Sequence, residues 1–210
     1  MMTSSSPPEV GPGRREERKA QNRAKLIKAA RKVFAEKGYG EATARDIVRE
    51  TDLATGTFYN YFPDKQAIFS ALLDEMSERG RALVREQRQQ PDLSLEERVA
   101  GAYRAYFAWA VEEEEMFEVF RRNANAIALM PDREPFELGI NELMEDLRQW
   151  VEEGALPDVD LDYLATAGVA LGFQVATHLV DRDPPDVEAA TRFCTRMFVG
   201  GIRALAEPSG

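Results

Sequence analysis

From Arg14 onward the apolar residues of this chain return every three to four positions, and no segment alternates with a period of two. That spacing builds helices and offers nothing from which to pair a sheet, so the expected fold class is all-α, with about nine helices. The first stripe is Leu26, Ile27, Ala30, Val33 and Phe34, and it stops at Gly38. Thr43, with Asp46 three residues on, is a variant of the capping box and opens a short helix ending near Thr51. Asp52-Leu53 makes a tight connection to a second short helix over about residues 55–60. Pro63 suits the first turn of a fourth helix, which carries Ile68, Phe69, Leu72, Leu73 and Met76 on one face. Ser94 with Glu97 forms another capping box, ahead of a fifth helix rich in aromatics. The acidic run 112–115 is followed by a sixth helix that ends before Pro131, and a seventh spans about 135–153. Asp160 caps an eighth running to Val180, and Asp183-Pro184 opens the ninth, to about Ala206.

With 210 residues, 44% of them hydrophobic and 30% charged, the chain can bury a substantial core as one large domain or two small ones. Apolar runs such as 126–130 and 168–173 fall far short of the roughly 18 residues of a membrane span. Residues 1–13 are rich in Ser, Pro and Gly and lack the pattern of a secretory signal, so they are expected to form a disordered tail. The single cysteine, Cys194, excludes an internal disulfide and suits a reducing, cytoplasmic home. With His178 the single histidine, a zinc site within one chain is not expected, and no cofactor is implied. An enzyme is the main rival class. The sequence offers no nucleophile–base pair, no glycine loop for phosphate and no metal cluster, and His178 and Cys194 lie too far apart to form a dyad.

The net charge of −10 conceals a split. Residues 1–65 hold 13 Lys and Arg against 9 Asp and Glu, while residues 66–210 hold 14 against 28. Every lysine lies in the first part. A basic unit joined to an acidic one can meet a polyanion with one face, although a solvated helix surface gives the same count.

Two short helices joined by a tight turn, after one helix and before another, form a candidate helix-turn-helix. In that arrangement the second short helix enters the major groove of DNA. Its first residues here, Thr55, Gly56 and Thr57, are small enough for close approach, and threonine presents both a hydroxyl and a methyl to base edges. Thr43 brings its hydroxyl and the free N–H groups of a helix start to a phosphate. Arg45 reaches a phosphate or a base, and Lys65 is a point charge suited to a phosphate. Phe58, Phe62, Ile47 and Val48 are expected to form the small core beneath.

The stretch GYGEATARDIVRETDLATGTFYNYFPDKQAIF, from Gly38 to Phe69, closely resembles the DNA-binding region of the TetR family of bacterial transcriptional regulators. The helix RAKLIKAARKVFAEKG before it matches as well. The resemblance covers about residues 20–75, and TGTFYNYFPDK is its most specific part. It implies that Thr43 and Arg45 touch the DNA backbone, with a base also in reach of Arg45, and that Thr55, Gly56 and Thr57 face the groove. Tyr59 and Tyr61 occupy the family's paired aromatic positions, Tyr59 bonding a phosphate. Asn60 lies beside the groove, and Lys65 pins the start of the fourth helix to the backbone. Two departures bear on turn geometry. Asp52 stands where glycine is usual, and Ala54 stands where a capping serine is common, which leaves Thr55 to cap instead.

The resemblance divides the chain into a helix-turn-helix domain at 14–65 and a helical ligand-binding and dimerisation domain at 66–210. It implies a homodimer through the last two helices, about 160–206. Apolar Leu164, Val169, Leu171, Phe173 and Val175 in one, and Phe193, Met197, Phe198, Ile202 and Leu205 in the other, permit this, and Gly168, Gly172, Gly200 and Gly201 would allow close approach. An ordinary core gives the same pattern. A small-molecule inducer, lipophilic or aromatic, is expected among the middle helices. Candidates are Tyr103, Phe107, Phe117 and Phe120, then Met144, Leu147 and Trp150, then Phe173, Thr177 and His178, with core packing the alternative for each aromatic. Arg121, Arg122, Asn123 and Asn125 either orient a ligand carboxylate or pair with the acidic run 112–115. The implied function is a ligand-responsive repressor of a palindromic operator, in which ligand shifts the fourth helix and with it the spacing of the two recognition units. The alternatives are an activator of the same fold and a helical ligand-binding protein without operator binding.

Overall fold

The computed structural model describes residues 13–90, 92–130, 134–157 and 159–206, so all of the expected tail except Gly13 lies outside the described residues. Among the described residues there are nine helices and no strand: α1 (Arg14–Glu41), α2 (Ala44–Arg49), α3 (Thr55–Tyr59), α4 (Lys65–Arg88), α5 (Leu95–Glu112), α6 (Glu114–Ala128), α7 (Glu134–Glu152), α8 (Leu161–Val180) and α9 (Val187–Ala206).

The expected stop at Gly38 is a kink. Its φ of 75° and ψ of 162° are open to glycine and strained for other residues. The chain then makes one more turn to Glu41, and the Ala42 N–H returns to the Gly38 carbonyl at 3.1 Å. The capping box of α2 forms as its spacing predicts: the Thr43 hydroxyl accepts from the Asp46 N–H at 3.1 Å, and the Asp46 carboxylate accepts from the Thr43 N–H at 3.0 Å. Ser94 and Glu97 do the same for α5.

Two helix starts differ from expectation because another residue makes the cap, and a third helix starts where expected without the cap that was expected. Asp64, not the first turn around Pro63, starts α4, its side chain accepting from the Ala67 N–H at 2.8 Å. Asp186 accepts from the Ala189 N–H at 2.8 Å, so α9 begins at Val187 and Asp183-Pro184 belongs to the connection before it. Thr55 does not cap α3. Ala54 holds the cap position and contributes no side-chain bond. Asp52 brings no strain to the turn, because the positive φ values among the described residues fall at Gly38, Asp92 and Gly154. Its carboxylate pairs with Lys25 at 2.9 Å.

The core runs along α5, which packs against α4, α6, α8 and α9 and buries Tyr103, Phe107, Trp109 and Ala110. Helix α1 lies on α6, and α7 lies between α4 and α8. Arg88 on α4 and Asp146 on α7, both buried, pair at 2.6 Å. Small residues bring α8 close to its neighbours: a Cβ on Gly168 would stand 2.8 Å from the Phe198 ring, and one on Gly172 would stand 3.1 Å from the Tyr103 ring. Those two glycines therefore serve packing within one chain, whereas a Cβ on Gly200 or Gly201 would meet nothing within 4 Å.

Helix α8 is long and apolar enough to cross a membrane by length and composition, a property that a count of unbroken apolar runs overlooks. Part of its apolar surface is turned outward. Of eight exposed large hydrophobic residues among those described, five lie on α8 and α9: Tyr163, Val169, Phe193, Met197 and Leu205.

Candidate nucleic-acid interface

Helices α1 to α4 close around Phe34, Ile47, Phe58, Phe62, Ile68 and Phe69, all buried. Phe58, wholly buried within a five-residue helix, is what anchors α3, because so short a helix has little stability of its own. With Phe58 turned inward, Thr55, Gly56, Tyr59 and Asn60 are exposed and Thr57 is half-buried.

Gly56 is informative. A Cβ there would meet nothing within 4 Å, and its φ is not positive, so neither packing nor backbone geometry requires glycine. Its smallness leaves room only for something outside the chain. Tyr59 stands beside it, edge-on to Phe58 with ring centres 5.2 Å apart and still 57% exposed.

The other predicted contacts divide into residues that are available and residues that are already engaged. Arg45 is exposed on α2. The Thr43 hydroxyl also donates to Asp46 Oδ2 at 2.6 Å, so the capping box uses it in both directions. What α2 offers an anion is therefore the backbone N–H groups of Ala44 and Arg45, which have no carbonyl four residues back within the helix. The Tyr61 hydroxyl accepts from Asn22 Nδ2 at 3.2 Å, which ties it to α1 and sets it apart from Tyr59. Lys65 donates to the carbonyls of Tyr39 at 2.6 Å and Gly40 at 3.4 Å, and its ammonium lies 4.4 Å from the centre of the Tyr39 ring.

The basic surplus of this half is partly neutralised on one side. Lys25 pairs with Asp52 at 2.9 Å, Lys32 with Glu50 at 2.7 Å and Lys37 with Asp46 at 2.8 Å. Hydrogen bonds from Lys37 and Thr43 hold the Asp46 carboxyl down to about 2, and Lys25 holds Asp52 below the usual carboxylate range. Glu50 raises Lys32.

In the acidic part, most of the candidate ligand residues fall into two places, a run of rings that Tyr106 joins from Phe107 to Trp109, and the buried face of α7. Tyr103 stacks on Phe107 with ring centres 5.7 Å apart and donates to the Gly168 carbonyl at 3.0 Å; burial pushes its phenol up. Met144, Leu147 and Trp150 are buried on α7, with the Arg98 guanidinium 5.8 Å from the Trp150 ring. Phe120 and Phe173 are half-buried at the ends of an aromatic chain: Phe120 meets Trp109 at 6.1 Å, Trp109 meets Phe117 at 6.3 Å and Phe117 meets Phe173 at 5.9 Å. Thr177 donates its hydroxyl to the Phe173 carbonyl at 3.0 Å, and His178, the next residue of α8, is exposed.

One residue has a role that the sequence does not reveal, and another has a role different from the one expected. Trp109 is 5% exposed, yet its indole N–H has no hydrogen-bond partner among the described residues. The single signal for it in the sequence was that tryptophan brings a donor wherever it is buried. Asn123, grouped with its neighbours as a ligand or ion-pair residue, is buried against the kink of α1 instead. Arg121 and Arg122 pair with Glu118, at 2.6 Å and 3.1 Å, rather than with the acidic run 112–115.

Comparison with known proteins bears on the same segment. Residues 26–72 match the family model described as bacterial regulatory proteins, tetR family. The HTH-type transcriptional regulator UidR of Escherichia coli (strain K12) is 26% identical over 187 residues, which are 86% of this chain and 92% of UidR. The HTH-type transcriptional regulator YuxN of Bacillus subtilis (strain 168) is 39% identical over 49 residues; that match takes in 23% of this chain and spans 17% of YuxN. Among solved structures, the transcriptional regulator FadR from Bacillus subtilis, in complex with stearoyl-CoA, superposes with a TM-score of 0.73 at 20% identity, over 85% of this chain and 98% of that one, a likeness of fold.

Proposed function

We propose, from the premise that this chain is a member of the TetR family of bacterial transcriptional regulators, that it is a cytoplasmic repressor which binds a palindromic operator as a homodimer and is released by a small lipophilic molecule. The observation that carries the DNA half is Gly56 together with Tyr59: a glycine that the fold does not need, beside an aromatic whose ring rests edge-on against Phe58 and leaves more than half of its surface exposed, on the outer edge of a helix-turn-helix. In this reading residues 14–65 form the DNA-binding domain and 66–210 the ligand-binding and dimerisation domain. Thr55, Gly56 and Thr57 face base edges, while Arg45, Tyr59, Asn60 and the N–H groups at the start of α2 meet phosphates. Tyr61 and Lys65 set the frame and reach the DNA backbone only at its edge.

The dimer half is supported by the apolar residues that α8 and α9 leave outside the fold. An isologous contact between two copies would cover them and give the two-fold symmetry of a palindrome. The ligand half is supported by the unpartnered Trp109 indole, since a buried donor without an acceptor costs about 1–3 kcal/mol. An effector that brings an acceptor oxygen and an apolar body would satisfy that N–H, and the acyl thioester end of stearoyl-CoA, with which FadR from Bacillus subtilis is found in complex, has both parts.

Selection from random duplex DNA at fixed salt tests the first half. An inverted repeat should be enriched, and Tyr59→Phe should bind it more weakly; enrichment of no sequence contradicts operator binding. The second half is read by adding stearoyl-CoA to the complex with the selected DNA. Release that Trp109→Phe blunts is expected, and failure of stearoyl-CoA and of free stearate to release the DNA contradicts the ligand assignment while leaving the DNA half standing.

A further inference from the structure

Helix α6 holds the end of α1 through one buried amide. Asn123 is 2% exposed. Its Oδ1 accepts from the Tyr39 N–H at 2.5 Å, and its Nδ2 donates to the carbonyls of Phe34 at 3.2 Å and Val119 at 2.7 Å. The orientation of the amide follows from its partners, because a backbone N–H needs an acceptor and two carbonyls need a donor. One residue earlier, Arg122 Nη1 donates to the Glu36 carbonyl at 3.1 Å. The bonds to Tyr39, Phe34 and Glu36 flank Gly38, whose backbone interrupts α1 and leaves the carbonyls of a helix end to be satisfied from outside, while the bond to Val119 stays within α6. A Cβ on Gly38 would meet Arg122 and Asn123 side chains at 3.6 Å, so no further layer separates the two helices.

The same segment is held from its other side. Lys65, the first residue of α4, donates to the Tyr39 carbonyl at 2.6 Å, and the Tyr39 ring lies between Lys65 and Phe69, 4.7 Å from the latter. Residues 38–40 are therefore gripped by α6 on one side and by the start of α4, next to α3, on the other.

We propose that Asn123 is a positioning residue that sets the angle of the α1–α3 unit against the bundle of α5 to α9. The chemistry is specific to asparagine. An apolar contact at this point would permit α1 to slide or turn on α6, whereas the bond accepted from the Tyr39 N–H and the bond donated to the Phe34 carbonyl tie the amide to two points on α1, and the bond to Val119 on its own helix holds the side chain in place. Aspartate keeps the acceptor and loses the donors, and alanine loses both. Phe117 and Phe120, against Trp109, lie on the same helix within two turns of Asn123, so displacement of those rings would carry the amide with them. The assignment concerns the angle between two units and stands whether or not the DNA reading does.

Spin labels read that angle directly. Cys194 is wholly buried and burial pushes its thiol up to about 11, so cysteines introduced at exposed Arg49 on α2 and exposed Arg148 on α7 take nitroxides selectively. Diluting labelled protein into an excess of unlabelled protein leaves one distance, within a protomer. The parent should give a narrow distribution, and Asn123→Ala should shift its mean or at least double its width while helix content is kept. Asn123→Asp should fall between them. Unchanged distributions in the folded variants overturn the proposal. If neither variant folds, hydrogen exchange on the unaltered protein decides: the Tyr39 amide should exchange with the slow amides of α6, and exchange as fast as an exposed loop overturns the proposal.

Discussion

Gly56 and Asn123 show how single residues report what they are for. A glycine in a helix costs about 0.5–1 kcal/mol relative to alanine, and at Gly56 there is open space for the missing methyl group. Gly56→Ala should therefore raise the unfolding free energy by roughly that amount while weakening DNA binding by about tenfold or more, equivalent to some 1.4 kcal/mol. Thermal melts and operator titration check the two halves separately, and a gain in both would mean that α3 does not press against DNA. Asn123 has the opposite character, with every polar atom engaged inside the fold. Its partner Tyr39 lies 84 positions away, beyond anything that local spacing reveals. Trp109 was hidden for a related reason: the sequence supplies the donor, but only packing shows that no acceptor reaches it.

At the scale of elements, helix starts were the most legible feature wherever the capping residue and its partner lie three positions apart, as in Thr43 with Asp46 and Ser94 with Glu97. They were misplaced where two acidic residues near a proline competed for the cap, as with Asp183 and Asp186. The α2 box carries a pH prediction. Lys37 and Thr43 lower the Asp46 carboxyl to about 2, below its ordinary value of 3.8, so the folded state prefers the ionised form. The stability this contributes is fully present above the ordinary carboxylate value and is lost as pH falls through about 2. Melting midpoints of the parent and of Asp46→Asn should therefore differ at neutral pH and converge as pH falls from 4 towards 2. A constant gap over that range contradicts the assignment. Thr43→Ala, which removes the hydroxyl from the same box, should cost about 1 kcal/mol in denaturant unfolding.

On the scale of the whole molecule, the charge split and the all-helical pattern were visible in the sequence, because both are sums over many residues. The face that α8 and α9 present outward was not separable from core, since an apolar stripe looks alike whether its cover is the same chain or another copy. The structure leaves Tyr163, Phe193, Met197 and Leu205 more than half exposed on those helices. Two copies joined there would carry two α3 helices at one fixed separation, and that separation has to match successive major grooves, roughly 34 Å apart. The most direct measurement is the affinity for the selected inverted repeat as base pairs are inserted between its halves. A rigid dimer with both heads docked predicts tight binding at one spacing, loss on inserting about five base pairs, half a helical turn, and partial return at about ten. Affinity independent of spacing would contradict it, because each unit would then be binding DNA alone.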